Sequence, residues 1–503
     1  MADNFQLSNL SPGADPASSS GAATGQHRYG PDLSTGDLRR KYNFGSRVSE
    51  LNIPQDPFFR FVSKVSKKPC DDPKFKFTER RGSWHKRYAY VVAHGTGSSC
   101  SLTGASAADG TITAGSTYFF KMGTDYLSAG NIQNIYNQNS KSQKIDVGAT
   151  GTKPNFFLPG NLVKFNMGAD GVPGTQTDFI VARVTSVTDS GEYVVLGTEI
   201  VKGKAAGAAY DFCSFAAADT AEADVHSEVI HSSLERKRCY VVGSAFGEGT
   251  GYPETWKDQP FSTGYGQTQI WKSAMAMTNT ARATVLKYEG NEWARIWKEK
   301  LIEHKWDIEQ SLLFGSQYED ANGITYTQGA VDFVQNYGNV FNLDLATKTQ
   351  DDFLEDMCSY LDPRYNTSKA NLYFCDTATY NWLHKLSGYF KNNLESSSNL
   401  RSDMAMTGKK KVFGVDISTI STVYGDMNIA RNIHLDGTHI KILAVGMNYC
   451  SYRPLVGNGL NRDTSVYVGV QTLENSGVDR RVDQILTEAG MEWSMPECHA
   501  IWT

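Results

Sequence analysis

Residues 291–314 carry apolar side chains at helical spacing and predict one long helix, which limits the possible folds more than any other feature. The apolar positions step by four, four, seven and four residues, the period of an amphipathic helix about 36 Å long at ~1.5 Å per residue. They are Trp293, Trp297, Leu301, Ile308 and Leu312. A strand-like run from Gln267 precedes the helix, so we expect the apolar face to lie on a sheet.

The two ends of this predicted helix carry recognisable signals. Asn291 can cap the first turn, and Gly315 can end the last turn in a left-handed conformation. The other faces hold oppositely charged residues four positions apart, which stabilise a solvated helix. These pairs are Arg295 with Glu299 and Lys305 with Glu309.

Five segments of the chain share residue patterns with one known family and follow the order found there. They are Asp56-Pro-Phe-Phe, residues 79–90 around Trp84, Tyr240-Val-Val-Gly-Ser-Ala-Phe-Gly, the 267–315 segment with Arg282-Ala-Thr and Asp307-Ile-Glu, and residues 485–493 with Pro496 and His499. Together they resemble the major capsid proteins of tailed bacteriophages with the Hong Kong 97-like fold. The matches cover about half of the chain.

This resemblance implies an α+β chain with a small β-barrel or sandwich inserted in an extended loop. The implied parts are an N-terminal arm (1–56), the outgoing part of the extended loop (57–95), the inserted β-domain (96–240), the return of the loop (241–270), a peripheral domain with the long spine helix (271–330), an axial domain (331–460) and closing strands of the axial and peripheral domains (461–503).

The first two parts differ sharply in composition. Residues 1–52 are rich in Gly, Ser, Ala, Asn and Asp and show almost no apolar period, which is typical of a segment that does not fold alone. Residues 58–92 interleave aromatic and basic side chains. That pattern fits a β-hairpin with one basic face, and it also fits a nucleic-acid-binding strand. In the resembling family, this loop lies over a neighbouring subunit.

Residues 96–235 predict an all-β lobe. Three β-branched runs at 156–165, 179–188 and 193–201 are separated by Gly, Asp and Pro turns. We expect the flanking loop strands to pair as a stem, and we expect 205–225 to be an irregular connection. The predicted core of the lobe, independent of the long helix, consists of Leu162, Val163, Ile180, Val184 and Val195.

The last third of the chain mixes helical and strand patterns. Helices are predicted at 350–361 and 377–394, and strands at 411–415, 439–445 and 465–472. A polar, Ser-rich loop at 392–411 ends in three lysines. These alternations predict an α+β lobe.

No segment carries a convincing catalytic, cofactor or metal motif, so the site prediction is that there are none. The glycine-rich stretch 247–251 is followed by Pro253 where a phosphate-binding helix would have to start. His226 and His231 are five apart, which suits neither a helix face nor a strand face. The acidic set at the start of a predicted helix, Asp351, Asp352, Glu355 and Asp356, suits the helix dipole better than a cation.

Charge and cysteine usage narrow the function class further. The net charge of −5 gives no general nucleic-acid footprint, and a weakly acidic wall would not trap packaged DNA. Eight widely spaced cysteines without a Cys-x-x-Cys pair predict free, mostly buried thiols in a reducing cytoplasm. Apolar runs long enough for a membrane span or a secretion signal are not found in the sequence.

The resemblance implies a structural role, in which the subunit self-assembles into hexamers and pentamers of an icosahedral head enclosing double-stranded DNA. The implied partners are further copies of the chain, a portal, and decoration or scaffolding proteins, with DNA contacted without sequence specificity and no membrane involved. The implied place is the virion, after assembly in the host cytoplasm. The alternatives are a β-rich phage or surface enzyme acting on polysaccharide, and a ligand-binding module.

Overall fold

The computed structural model describes most of the chain after residue 55. The described residues are 56–80, 87–95, 97–100, 111–112, 114–123, 131–132, 143–144, 154–167, 178–190, 193–203, 210–211, 238–254, 261–285, 291–363, 366–368, 371–386 and 404–503. The chain divides into two compact units, of which one contains 280–295 and the other contains 54–279 and 296–503. The predictions for the arm, Trp84, Cys213, His226 and His231 lie outside the described residues.

The described helices are few and mostly short. They are α1 (Pro57–Val65), α2 (Asn279–Ala283), α3 (Glu292–Phe314), α4 (Ala330–Tyr337), α5 (Gln350–Tyr360), α6 (Thr377–Leu386) and α7 (Leu473–Ser476). Two 3-10 turns, Ile433–Leu435 and Pro496–Cys498, complete the helical elements of the described part.

Strands dominate the described residues. Those of the first half are β1 (Lys74–Glu79), β2 (Tyr88–Gly95), β3 (Thr111–Ile112), β4 (Thr117–Gly123), β5 (Asn131–Ile132), β6 (Gln143–Lys144), β7 (Asn161–Met167), β8 (Asp178–Ser190), β9 (Tyr193–Gly203), β10 (Tyr210–Asp211), β11 (Arg238–Ser244), β12 (Ser262–Gln267) and β13 (Gln269–Thr278). Those of the second half are β14 (Tyr318–Glu319), β15 (Thr325–Tyr326), β16 (Asn339–Phe341), β17 (Asn371–Cys375), β18 (Met404–Val412), β19 (Val415–Thr422), β20 (Gly425–Arg431), β21 (Ile442–Gly446), β22 (Cys450–Pro454), β23 (Val456–Gly457), β24 (Leu460–Asn461), β25 (Ser465–Gln471), β26 (Arg480–Trp493) and β27 (Ala500–Trp502).

The predicted long helix is confirmed as α3, and its start is capped as expected. The Asn291 side-chain oxygen accepts a hydrogen bond from the Ala294 amide at 3.2 Å. The left-handed end at Gly315 is wrong, since Gly315 is not among the glycines with positive φ. Glycine is needed there for space, because an added Cβ would lie 2.5 Å from the Ser311 carbonyl oxygen and 2.9 Å from that of Thr327.

Only the second half of the predicted apolar stripe is fully buried. Ile308 and Leu312 lie in the main core, whereas Trp293, Trp297 and Leu301 are half-buried. Two polar residues of α3, His304 and Glu309, are completely buried. The predicted pair between Lys305 and Glu309 is wrong, because the Glu309 carboxylate bonds to Phe58, Phe59 and Asn432 inside the core.

The sheet beneath α3 is formed by β13 and β26. These strands pair in antiparallel register over ten positions, and β22 and β25 pair with β26 in turn. Trp271 of β13 is buried and its indole nitrogen donates to the Ser311 hydroxyl of α3 at 3.0 Å. The predicted arrangement of a strand leading into a helix that lies on a sheet is confirmed.

Residues 57–65 form helix α1, not extended loop as predicted. Pro57 occupies its first turn, and Phe58, Phe59, Phe61 and Val62 are buried at helical spacing. The Phe58 ring stacks on Trp493 with centroids 6.2 Å apart. The secondary structure of this segment therefore follows the apolar period of three and four residues. It does not follow the alternation of aromatic and basic residues.

Strands of the predicted stem pair with each other, and strands of the predicted β-lobe form a barrel. Strand β1 pairs with β12 along its whole length, so the expected pairing of the stem strands is confirmed. Strands β11, β2, β4, β9, β8 and β7 close into a barrel in that order. The barrel begins earlier than predicted, since β2, which the sequence placed in the outgoing loop, is one of its strands. A short strand pair, β3 with β10, also interrupts the segment expected to be irregular.

The barrel has a core of its own, separate from the core under α3. Val163, Ile180 and Val184 lie inside it as predicted. Leu162 and Val195 do not, because successive side chains of a strand point to opposite faces. Val195 instead packs with Cys100 and Phe119.

A larger mixed sheet joins the last third of the chain. Its described strands follow the order β18, β19, β20, β17, β21, β27, β16, β6 and β5. Both faces of β17 are covered, with Phe374 in the core shared with α1 and α3, and Tyr373 in a core shared with α5 and α6. The fold therefore mixes helices and sheets in packed layers, which confirms the coarse α+β expectation.

Several predicted bounds in this region need correction. Helix α5 matches 350–361, and α6 covers 377–386, beyond which 387–394 lies outside the described residues. The strand predicted at 411–415 is wrong, because Phe413 and Gly414 both have positive φ and form the two-residue turn between β18 and β19. Strand β21 starts later than predicted, and β25 lies within 465–472.

Candidate functional site

The acidic residues at the start of α5 serve the helix and its packing. The Thr349 hydroxyl and the Asp352 carboxylate form a reciprocal capping box. Asp356 is buried, where its carboxylate accepts from the Lys348 ammonium at 2.6 Å and the Trp502 indole at 3.2 Å. Within the described ranges, His, Cys, Asp and Glu side chains do not gather into a group of three that could hold a metal.

The glycine-rich stretch 247–251 lies in a loop after β11. Gly249 has a φ of 75° and Tyr252 is completely exposed. Residues 251–254 form no helix, so the described part of this loop offers no helix N-terminus to a phosphate. The seven described cysteines are free thiols, of which Cys358 alone is exposed. No described helix is long and apolar enough to cross a membrane.

A run of exposed apolar side chains lies on residues 465–478, which we call the apolar hairpin. It consists of β25, α7 and the turn into β26. Its exposed large apolar side chains are Val466, Tyr467, Val468, Val470, Leu473 and Val478. Contiguous exposed apolar residues on a soluble protein mark an interaction site more often than a solvated face.

The apolar hairpin is held in a defined shape. A bulge interrupts its pairing with β26 between Tyr467 and Gln471, and Gly469 there has a φ of 69°. The buried Asp483 carboxylate accepts from the Gly469 amide at 2.7 Å and from the Arg481 guanidinium at 3.0 Å. Gly477 ends α7 in the left-handed region. Fixed backbone geometry lets this surface meet a partner without first being ordered.

The stem formed by β1 and β12 is a second exposed feature with an anchored base. Phe75 and Phe77 lie across Gly266 and Gly264 of the opposite strand, so closely that a Cβ on either glycine would come within 2.4 Å of a ring. The Arg453 guanidinium lies 5.3 Å from the Phe75 ring centroid. Lys74 and Lys76 are exposed. The interpretation of this stretch as a β-ribbon with a basic face is confirmed for 74–79.

Contacts at both ends of β1 hold the stem to other parts of the chain. The Glu79 carboxylate accepts from the Met495 amide at 2.8 Å. Lys74 forms an ion pair with Glu319 at 2.5 Å. Tyr265 on β12 is exposed, so an aromatic side chain lies on the surface of the stem beside Lys74 and Lys76.

Two buried histidines and one buried glutamate have shifted pKa values. His304 bonds to the hydroxyls of Ser273 and Thr487, and burial lowers its pKa. Burial lowers the pKa of His499 to about 4. Burial raises the pKa of Glu309 to about 7, although three hydrogen bonds to its carboxylate oppose that rise. Sequence reasoning placed Glu309 on a solvated face, and its helical position gives no signal of this burial.

Comparison with known proteins gives one family match. The family of SU10 major capsid proteins matches residues 97–503. Curated proteins give no match.

Several solved phage structures are partly similar to this chain. A chain from Microbacterium phage Oxtober96 is 12% identical, with a TM-score of 0.35 over 52% of this chain and 80% of that one. The capsid of cyanophage P-SCSP1u gives 9% identity and a TM-score of 0.34 over 52% and 79%. The capsid of Myoviridae phage XM1 gives 9% identity and a TM-score of 0.33 over 52% and 80%.

Proposed function

The chain belongs to the family of SU10 major capsid proteins, and from this premise we propose that its subunits form the hexamers and pentamers of an icosahedral head with the Hong Kong 97-like fold. As a phage major capsid protein it is a structural component of the virion capsid and not an enzyme. The polysaccharide-acting alternative is therefore wrong. Its first partner is a further copy of itself.

The proposed domain plan draws support from the strand pairing. The stem of β1 and β12 corresponds to the extended loop, and the closed barrel corresponds to the inserted domain. Helix α3 on β13 and β26 corresponds to the peripheral domain, and the mixed sheet corresponds to the axial domain. Strands β26 and β27, within the closing segment, each join one of these two sheets.

The apolar hairpin is the observation that carries the assembly proposal. Burial of its exposed valines against a neighbouring subunit would favour association by about 25 cal/mol per Å² of apolar surface removed from water. In a symmetric shell the same contact recurs at every subunit, so many weak contacts together stabilise the shell. We assign this surface to contact between neighbouring subunits.

The wider partner set follows from the same proposal. The interior would hold double-stranded DNA without sequence-specific contacts, and the net charge of −5 favours a wall that does not bind the genome tightly. A portal and decoration or scaffolding proteins would complete the head. Assembly would take place in the host cytoplasm.

A substitution on the apolar hairpin tests the proposal. Val468 is 65% exposed, so Val468→Asp should leave the isolated subunit folded and should abolish or strongly reduce shell formation. Negative-stain microscopy and sedimentation would measure assembly, and circular dichroism would measure folding. Val468→Ile, which keeps an apolar contact, is the matched control and should assemble. Normal shells from the Val468→Asp subunit would refute the assignment of this surface.

A further inference from the structure

A second run of exposed apolar side chains lies on residues 318–326, which we call the tyrosine hairpin. It consists of β14, β15 and the turn between them. Tyr318 is 62% exposed, and Ile324 and Tyr326 are exposed as well. The ring centroids of Tyr318 and Tyr326 are 6.3 Å apart. Tyrosine is enriched in protein interfaces, because its ring offers a large apolar area and its hydroxyl can bond to a partner.

The tyrosine hairpin has a fixed shape and a fixed place on the subunit. The Asp320 amide donates to the Ile324 carbonyl at 2.9 Å, and the Asp320 carboxylate accepts from the Ala321 amide at 2.7 Å. The Thr325 hydroxyl donates to the carbonyl of Thr268, just before β13, at 2.5 Å. A partner therefore meets a surface that is already ordered.

The tyrosine hairpin and the distal part of the apolar hairpin lie towards opposite ends of the sheet under α3. The first residue of β13, Gln269, accepts through its side chain from the Thr327 amide, next to the tyrosine hairpin, at 3.2 Å. Gln471 of the apolar hairpin pairs with Val482, and Val482 pairs with Ala276 near the other end of β13. Seven strand positions at ~3.4 Å each separate Gln269 from Ala276 by about 24 Å. Leu473, which lies beyond Gln471, is therefore too distant to contact the tyrosine hairpin of its own subunit.

The two surfaces complement each other in chemistry. The apolar hairpin presents mostly aliphatic side chains, and the tyrosine hairpin presents two aromatic rings. The apolar hairpin carries one charged side chain, Glu474, and Asp479 follows it. Lys74 pairs with Glu319 of the tyrosine hairpin, and exposed Lys76 lies on the same face of β1 as Lys74. An acidic margin and a basic margin would meet when the surfaces dock, which favours this pairing.

We propose, on the basis of the assembly proposed above, that the apolar hairpin of one subunit docks on the tyrosine hairpin of the next. The partner of each surface is thus a different surface of a second copy of the chain. Such a heterologous contact joins subunits head to tail, and it closes into rings when the rotation between successive subunits allows it.

Chemical cross-linking of assembled full-length subunits tests the direction of this contact. Leu473→Cys and Ile324→Cys place a thiol on each surface, and Cys358→Ser removes the exposed native thiol in all chains. With a short bismaleimide, the variant that carries both new cysteines should give a ladder of covalent oligomers. A mixture of the two single-cysteine chains should give dimers and nothing longer, and each single-cysteine chain alone should stay monomeric on a denaturing gel.

Two results would overturn the proposal. Dimers from the Leu473→Cys chain alone would show that the apolar hairpin meets its own counterpart. Shells of the variant with both cysteines that give no covalent product would show that the two surfaces do not meet. Absence of shells from the Cys358→Ser parent would instead count against the proposed assembly itself.

Mixing of damaged subunits keeps the test decisive if the cysteine variants do not form shells. Val468→Asp and Ile324→Asp should each block assembly, yet each chain keeps one of the two surfaces intact. In sedimentation velocity, an equimolar mixture should therefore contain about tenfold more dimer than either chain alone. Ile324→Val, which keeps an apolar contact, is the matched control and should assemble as the wild type does. A mixture with no more dimer than its components would contradict head-to-tail docking.

Discussion

Replacing either of two leucines on α3 by alanine should distinguish the part of the helix that is buried within the subunit from the part that stays available for contact with a neighbour. Leu312 is completely buried in the main core, and Leu301 is half-buried, although both lie on the same predicted stripe. Removal of a buried leucine side chain costs 2–5 kcal/mol through lost transfer energy and the remaining cavity. Leu312→Ala should therefore lower the unfolding free energy by about 3 kcal/mol, and Leu301→Ala by about 1 kcal/mol.

Urea unfolding of isolated subunits, followed by tryptophan fluorescence, measures both values. The same pair should be compared in assembled shells, where an added cost for Leu301→Ala alone would show that a neighbour covers the first half of α3. Equal destabilisation by the two variants in the isolated subunit would refute the reasoning. It would mean that the stripe is buried along its full length within one chain.

Two further predictions concern the stem and the acid stability of the fold. Gly266→Ala would place a Cβ 2.4 Å from the Phe75 ring and 3.1 Å from a backbone oxygen, so it should destabilise the subunit by 1–3 kcal/mol, about as other overpacked sites do. Gly243→Ala, which meets no atom within 4 Å, is its control in thermal unfolding, and equal melting temperatures would contradict this account. Burial lowers the pKa of His499 from 6.5 to about 4. The neutral ring therefore contributes stability that is complete above pH 6.5 and is lost as the pH falls towards 4. The free energy of unfolding should fall by up to about 1.4 kcal/mol per pH unit in this range. His499→Gln should flatten this slope in pH-dependent unfolding, and an unchanged slope would show that another group is responsible.

The sequence predicted the elements whose signal is local. The period of α3, its Asn291 cap and the β-rich lobe all follow from patterns within a few turns of chain. The order of the family motifs gave the stem pairing. Positions such as Leu162 and Val195 were misplaced because a run of β-branched residues does not reveal which alternate face is inside.

The parts that sequence reasoning missed depend on distant contacts. The aromatic residues of α1 also fit the hairpin that the sequence predicts there, and only packing against Trp493 and Phe374 favours the helical period. Glu309 looked like half of a surface ion pair, since its acceptor role depends on amides about 250 residues away. The sequence predicts a strand at 465–472, but it does not indicate that the apolar side chains of the apolar hairpin are exposed.

The closure of the barrel makes this part of the chain replaceable. Its first and last strands, β2 and β11, pair directly, with Tyr88 at the start of β2 opposite Tyr240 of β11, ~5 Å apart across the pair. Because its core is separate from the one under α3, another domain with adjacent termini could be grafted onto the same stem without rebuilding the rest. Exchange of the barrel would then leave the core under α3 unchanged.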